Sequence, residues 1–219
     1  SIVKIYFSDR NKNESAGIGI GDIINYKPVT LKTRETGTTC KPVLEDVMNL
    51  IKERIELSGK KVKYFGGHAF DVRDRMDSIW YRMGNILFIS PLIEITGNGS
   101  RKTLAINFYY HPEKGISKNN LYEIIKKEIL NLNRFEAISD KKVFTLKSRQ
   151  DVPGKERWLR NIDSVKDTFQ IENISKIVLA RKTVFNINNI IDPLIIFNHL
   201  KKQNVKTYDF YFQTGENYA

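Results

Sequence analysis

The sequence predicts a mixed fold in which amphipathic helices are interspersed with short β-strands. Segments rich in Ile, Val, Phe and Tyr recur along the chain, and between them apolar residues are spaced three and four positions apart. Of the 219 residues, 41% are apolar, which is enough to fill a hydrophobic core. The length suits one large domain or two small ones.

Two β-rich segments open the chain. Residues 2–7, "IVKIYF", alternate loosely between apolar and polar side chains and are expected to form a strand. Residues 16–22, "AGIGIGD", are expected to form a second short strand and a turn. Their glycines do not make a dinucleotide-binding fingerprint, because the segment continues into apolar Ile23 and Ile24. We therefore do not expect nucleotide binding there.

Two amphipathic helices are predicted in the first 150 residues. The first follows Pro42, which suits the first turn of a helix, and ends near Ser58 and Gly59. The second follows a candidate N-cap, Ser117. The apolar stripes are Leu44, Val47, Met48, Ile51 and Ile55 in the first helix and Leu121, Ile125, Ile129 and Leu132 in the second. Further strands are expected in "KVKYF", "IWYRMGNILFISPLIEI" and "RKTLAINFYYH".

The polar segment "SRQDVPGKER" at 148–157 is the strongest candidate boundary in the chain, because it contains both a proline and a glycine. After it we expect a helix, a strand in "KIVLARKTVF", a helix with Asp192 as its cap and Pro193 at its first position, and a strand in "TYDFYFQT". The apolar face of the first of these helices is Trp158, Ile162, Val165 and Phe169. A sheet with so few strands would leave one apolar face uncovered, so the chain is expected to be cut short.

The charge and cysteine content limit the classes of partner and compartment. The formal net charge is +11, but the lysines are spread along the chain beside glutamates, and no nucleic-acid-binding signature is present. We expect a solvated basic surface that would also attract a small dianionic substrate, and no nucleic-acid partner. Cys40 is the single cysteine, and no stretch approaches the roughly 20 apolar residues of a membrane span. With no signal peptide at the N-terminus, these features predict a cytoplasmic protein without a membrane partner.

Lys176 lies at the start of the predicted strand in "ENISKIVLAR", residues 172–181. On spacing alone it is either a solvated strand end or a base that a substrate can reach. A lysine base needs partial burial or a nearby cation, because its unperturbed pKa is about 10.4. Arg181 shares a strand face with Ile177 and Leu179, so we expect it to pair with a carboxylate, with a substrate contact as the alternative.

The histidines and tryptophans have plainer interpretations. His68 follows two glycines in "GGHAF" and is expected to be a loop or core residue, whereas His111 and His199 are isolated. None of the three belongs to a cluster with the spacing of a metal site. Trp80 and Trp158 are expected to anchor the core.

The order of features after Pro153 resembles the chorismate-utilising enzymes. "PGKERWLRNIDSVKDTFQIENISKIVLARK" is similar to the opening of their chorismate-binding domain, where a Trp-bearing helix leads into a "K-V-V-L-[AS]-R" strand. "YDFYFQTGENYA" resembles the strand that runs into a Gly-rich "S/T-P-E-R-L" turn, which lies beyond this sequence. Upstream, "YFGGHAFD" at 64–71 and "FISPLIEI" at 88–95 resemble two further family segments. The likeness covers most of the chain from about Tyr64.

The resemblance implies that Lys176 is the general base that activates water for attack at C2 of the substrate chorismate. A glutamate farther along the family's chain would protonate the departing C4 hydroxyl. Family members that use ammonia usually carry glutamine at this position, so Lys176 favours water-using members, which form isochorismate or salicylate. The "L-L-E-S" type motif of tryptophan-sensing anthranilate synthases is also missing from the N-terminal part.

The implied activity is that of an isomerase, an isochorismate synthase serving menaquinone or siderophore biosynthesis. The alternatives are a salicylate synthase and a non-catalytic, truncated binding protein. The resemblance also implies Mg²⁺, held by glutamates outside this chain, and no Glu pair here resembles the family's metal motif. The resemblance further implies that Arg, Lys and backbone amides from the portion that would follow Ala219 bind the substrate carboxylates.

The implied fold is α+β, with two large antiparallel sheets packed face to face, helices outside and the active site between the sheets. In that arrangement residues 1–150 form the N-terminal half, and residues 154–219 form only the start of the chorismate-binding domain. The fold would therefore be incomplete, and we expect residues 154–219 to pack on the N-terminal strands.

An incomplete fold has a consequence for solution behaviour. The purified 219-residue chain is expected to self-associate or to melt at low temperature, because an uncovered apolar face or sheet edge pairs readily with another molecule. Light scattering combined with a thermal melt measures both properties. A monodisperse and highly stable monomer would contradict this expectation.

Overall fold

The computed structural model describes residues 3–26, 44–70, 80–81, 83–109, 117–132, 145–171, 174–203, 206–215 and 217–218. The helices in these ranges are α1 (Leu44–Leu57), α2 (Lys118–Leu132), α3 (Lys155–Ile171) and α4 (Pro193–Gln203). The strands are β1 (Val3–Ser8), β2 (Glu14–Ile18), β3 (Asp22–Tyr26), β4 (Phe65–His68), β5 (Ile86–Ser90), β6 (Ile93–Asn98), β7 (Arg101–Ile106), β8 (Leu146–Val152), β9 (Lys182–Ile187), β10 (Asp209–Thr214) and β11 (Asn217–Tyr218). Within the described ranges, no helix has both the length and the apolar character needed to span a bilayer.

The chain divides into two compact units. Unit 1 contains Ser1–Ala137 and Phe197–Ala219, and unit 2 contains Ile138–Ile196. The last part of the chain therefore belongs to the same unit as the first part. For β10 this agrees with the expected packing on the N-terminal strands. The division of the family fold into residues 1–150 and 154–219 stays a prediction.

A six-stranded antiparallel sheet forms the main layer of unit 1, in the order β11-β10-β1-β2-β6-β7. A second, three-stranded antiparallel sheet has the order β3-β5-β4. The strands predicted at 2–7 and in "TYDFYFQT" are confirmed, and they are direct neighbours, with Ile5 opposite Phe212. In unit 2, β8 and β9 form a separate antiparallel pair.

The two sheets of unit 1 pack face to face through apolar side chains. Alternation places Val3 and Ile5 of β1 on the same face as Phe212 of β10. These residues pack against Leu87 and Ile89 of β5. Each fully buried side chain of this size contributes about 1.5 to 3 kcal/mol relative to an exposed one. The predicted α+β fold with packed antiparallel sheets is thus confirmed.

Helix α1 covers the other face of the three-stranded sheet. Its buried residues Val47 and Ile51 contact Ile24 of β3 and Ile86 of β5. The predicted apolar stripe is correct at these positions but too wide, because Met48 remains 46% exposed. The helix ends where predicted, with Gly59 at a positive φ of 65° that favours glycine.

The predicted helix caps are confirmed, whereas the burial of α2 and α3 is only partial. The Ser117 hydroxyl accepts from the Asn120 amide at 3.2 Å, and the Asp192 carboxylate accepts from the Leu194 amide at 2.9 Å. Along α2 the predicted stripe is half-buried except at Ile129, which is 38% exposed; the side chain of Leu132 lies outside the described residues. Along α3 Phe169 is 42% exposed and the rest of the predicted face is half-buried.

The first residues of the segment 148–157, the predicted boundary, belong to β8. This strand is almost entirely exposed, so it shows no apolar alternation from which a strand could be predicted. Its partner β9 begins at Lys182, later than the strand predicted in "KIVLARKTVF". The ladder ends where Val152 pairs with Lys182, because Pro153 follows Val152 and has no backbone N–H to donate.

The packing between the two sheets predicts a large loss of stability for Ile89→Ala. Ile89 is fully buried, so the substitution leaves a cavity and should lower the free energy of unfolding by about 2 to 5 kcal/mol. The control Ile95→Ala changes a residue of β6, the next strand along the chain, that is 42% exposed, and should cost about 1 kcal/mol or less. Urea unfolding followed by circular dichroism measures both. Equal losses would contradict the assignment of the core.

Candidate functional site

Lys176 lies in unit 2, in an irregular segment between α3 and β9. Burial alternates along this segment: Ile177 and Leu179 are half-buried, whereas Lys176 and Val178 are exposed. Within the described residues, Lys176 makes no hydrogen bond or ion pair. The partial burial that a lysine base needs is not provided by the neighbouring Val178, which is 78% exposed. The segment presents the Lys176 amine to solvent.

Arg181 anchors the end of the same segment. Its Nη2 lies 3.1 Å from Oδ2 of Asp151, and its Nε donates to the carbonyl of Pro153 at 3.2 Å. The guanidinium also lies 5.8 Å from the centre of the Trp158 ring. The predicted pairing of Arg181 with a carboxylate is confirmed. These contacts hold the Arg181 side chain at the end of the segment, whereas Lys176 has no such contact among the described residues.

Asp151 is the centre of the polar cluster that holds Arg181. Its Oδ1 accepts from the Thr183 hydroxyl at 2.7 Å and from Arg149 Nε at 3.2 Å. The hydrogen bond from Thr183 lowers the pKa of Asp151, and the two arginines lower it further. The carboxylate therefore remains ionised at neutral pH and keeps its ion pair with Arg181.

The other residues singled out in the sequence do not converge on a site. His68 is exposed and hydrogen-bonds through Nδ1 to the carbonyl of Ala69, and His199 is exposed on α4. The prediction of Trp80 as a core anchor is wrong: it is 49% exposed, because it lies in the turn that its carbonyl forms with the amides of Met83 and Gly84. Cys40, Pro42 and His111 lie outside the described residues.

A magnesium site is not formed by the part of the chain that the structure describes. No group of three or more His, Cys, Asp or Glu side chains in these ranges could hold a metal ion. Asp22, Glu94 and Asp209, whose carboxylates lie inside the fold, are instead paired with lysine or arginine. The described residues do not fit the Mg²⁺ that the resemblance implies.

Two polar clusters of unit 1 were not predicted, because their members are far apart in sequence. In the first, Asp22 of β3 accepts from the guanidinium of Arg54 and from the hydroxyl of Tyr64. The guanidinium also lies 4.3 Å from the centre of the Tyr109 ring. Burial and the hydrogen bond to Asp22 raise the pKa of Tyr64, so its hydroxyl remains a donor. This cluster joins α1 to the three-stranded sheet.

The second cluster joins the end of α4 to the six-stranded sheet. Lys201 Nζ lies 2.6 Å from Oε1 of Glu14, and the hydroxyl of Tyr6 donates to the same oxygen at 2.6 Å. The Tyr6 ring meets Phe197 edge-on, with 5.2 Å between ring centres. The hydrogen bond from Lys201 lowers the pKa of Glu14. Both clusters bring together distant parts of the fold.

Comparison with known proteins agrees with this architecture. A solved structure of the menaquinone-specific isochorismate synthase MenF from Escherichia coli superimposes with a TM-score of 0.69 over 98% of this chain, at 18% sequence identity. The chain spans 42% of the length of that protein, which therefore has the same fold over this part. A family model described as "chorismate binding enzyme" matches residues 2–218. Because that match covers nearly the whole sequence, the chain belongs to the chorismate-binding enzyme family.

Proposed function

We propose that this chain supplies the water-activating lysine of an isochorismate synthase, with Lys176 as the general base. The observation that carries the proposal is the segment around Lys176: it has the sequence "KIVLAR", and its half-buried residues leave the lysine on the exposed side. Membership of the chorismate-binding family supports chorismate as the substrate. The fold shared with MenF, whose name states that activity, supports isochorismate as the product.

The proposed reaction is an isomerisation that consumes and releases one water molecule. The neutral amine of Lys176 takes a proton from a water molecule as the water oxygen bonds to C2 of chorismate. The ring double bonds shift, the C4 hydroxyl leaves, and a protonated glutamate outside the described residues gives it a proton. At neutral pH only about one unperturbed lysine in 2,500 is neutral, so groups that cover the amine when substrate binds are needed to make it an effective base.

The proposal extends to the cofactor and the cellular setting. The family resemblance supports Mg²⁺, bound by carboxylates outside the described part of the chain. The single cysteine supports a cytoplasmic enzyme. Menaquinone or siderophore biosynthesis would consume the product, and we propose neither a nucleic acid nor a membrane as a partner.

Replacing the base tests the mechanism directly. In the protein that carries this sequence, Lys176→Ala should lower the rate of chorismate conversion by about 100- to 10,000-fold, the range that general base catalysis provides. The matched control is Lys155→Ala, because Lys155 is an exposed lysine of the same unit, on the first turn of α3. Chromatography of the product distinguishes isochorismate from salicylate. A loss below about tenfold in Lys176→Ala would refute the role of Lys176 as base.

The isolated 219-residue chain provides a second test. We expect it to form no isochorismate from chorismate, with or without added Mg²⁺, because the described residues offer neither a metal site nor an identified general acid. The measurement is product formation over several hours at high protein concentration. Mg²⁺-dependent turnover by this chain alone would show that all the essential groups lie within its 219 residues.

A further inference from the structure

A cleft of about 770 Å³ opens at one end of the two-sheet packing in unit 1. One wall is the face of the six-stranded sheet that also packs on the three-stranded sheet. The other wall is the segment 62–66, which leads from α1 into β4. Its volume falls within the range of small-molecule sites, about 300 to 1,000 Å³. The cleft lies wholly in unit 1, whereas Lys176 belongs to unit 2.

A row of hydroxyl groups crosses the floor of this cleft. Ser15 of β2 pairs with Thr96 of β6, and Thr96 pairs with Thr103 of β7. Residues paired in this way on adjacent strands lie on one face about 4.8 Å apart, so the hydroxyls line up across the sheet. Phe7 of β1, which pairs with Ser15, continues the row with an aromatic ring. The floor therefore offers several hydrogen-bonding groups beside an apolar surface.

Lys63 is fixed above this row by a buried carboxylate. Its Nζ lies 3.0 Å from Oε1 of Glu94 and donates to the Ser15 hydroxyl at 3.1 Å. The side chain of Glu94 is 2% exposed, and Asn107 donates to its other oxygen at 3.4 Å. A buried carboxylate is costly unless it is paired, so Glu94 holds Lys63 in place. Two of the three ammonium hydrogens are then used, and the charge of Lys63 is balanced.

Arg101 carries the uncompensated charge of the cleft. Its side chain makes no hydrogen bond or ion pair with the described residues. The acidic residue at the rim, Asp9, is engaged within its own turn, where it accepts from the amides of Asn11 and Asn13 and from the side chain of Asn13. Glu14, the other acidic residue at the cleft, is bound by Lys201. An anionic group in the cleft would therefore meet one free guanidinium, which binds a carboxylate through two parallel hydrogen bonds.

We propose that this cleft binds a small organic monocarboxylate. The carboxylate pairs with Arg101, polar substituents hydrogen-bond to the hydroxyl row, and the apolar part of the molecule contacts Phe7 and Phe65. This site is independent of the role proposed for Lys176, because its binding residues all lie in unit 1.

Saturation-transfer NMR on the 219-residue chain tests the site with benzoate as the probe. We expect benzoate to bind with a dissociation constant on the order of 1 mM, which is typical of a ligand with nine heavy atoms. Benzamide, which has the same ring without the charge, should bind at least about tenfold more weakly. Inorganic phosphate should not displace benzoate at equal concentration, because it has no apolar part.

Substitutions then locate the binding site. Arg101→Gln should weaken benzoate binding at least about tenfold, and Thr96→Val should weaken it severalfold. The matched control is Lys102→Gln, because Lys102 is the next residue on β7, points to the opposite face and acts electrostatically on Glu14. It should leave binding within about twofold of the original. Circular dichroism confirms that each variant is folded.

Several outcomes would overturn the proposal. Absence of any saturation transfer to benzoate at 20 mM, about 20 times the expected dissociation constant, would exclude the site. Equal binding of benzamide would show that the carboxylate is not recognised, and displacement by phosphate would indicate a site for any anion. Unchanged binding in Arg101→Gln would place the ligand elsewhere. None of these results depends on turnover of chorismate, so they are separable from failure of the function proposed for Lys176.

Discussion

The burial of one apolar row between two sheets is the interaction on which the rest of unit 1 depends. Val3 and Ile5 lie on the inner face of the large sheet, and Leu87 and Ile89 close the row from the small sheet. Since side chains alternate along a strand, this contact fixes which residues of every paired strand face inward. It thereby places Ser15, Thr96 and Thr103 on the inner face as well, beyond the end of the apolar contact. The polar floor of the cleft is thus a continuation of the core.

Local rules predicted much of the secondary structure. Pro193 with its cap Asp192, the cap Ser117 and the end of α1 at Gly59 were all predicted correctly, because each depends on chemistry within a few residues. The alternation of β1 and β10 was also visible, although their pairing was not. β8 was missed for the opposite reason: it is exposed on both faces, and its strand conformation comes from the ladder with β9.

The candidate sites differ in how far sequence could predict them. Lys176 was identified through a family motif, and nothing in its local spacing distinguishes it from a solvated lysine. Arg181 could be paired with a carboxylate in advance, since an arginine in phase with Ile177 and Leu179 needs one, but its partner Asp151 could not be named. The cluster of Glu94, Lys63 and Ser15 could not be predicted, because it depends on strand register between segments that are distant in the chain.

The pairing of β1 with β10 has a consequence for synthesis on the ribosome. Ser8 and Asp209, which hydrogen-bond at 3.1 Å, are separated by 201 positions in the chain. β1 can pair with β2 soon after Ile18 emerges, yet its other edge stays open until Thr214 has been made. At about 5 to 20 residues per second this takes roughly 10 to 40 s. During that interval the nascent chain exposes both the open edge of β1 and the apolar side chains of Val3 and Ile5. A chaperone that shields them would raise the yield of folded protein.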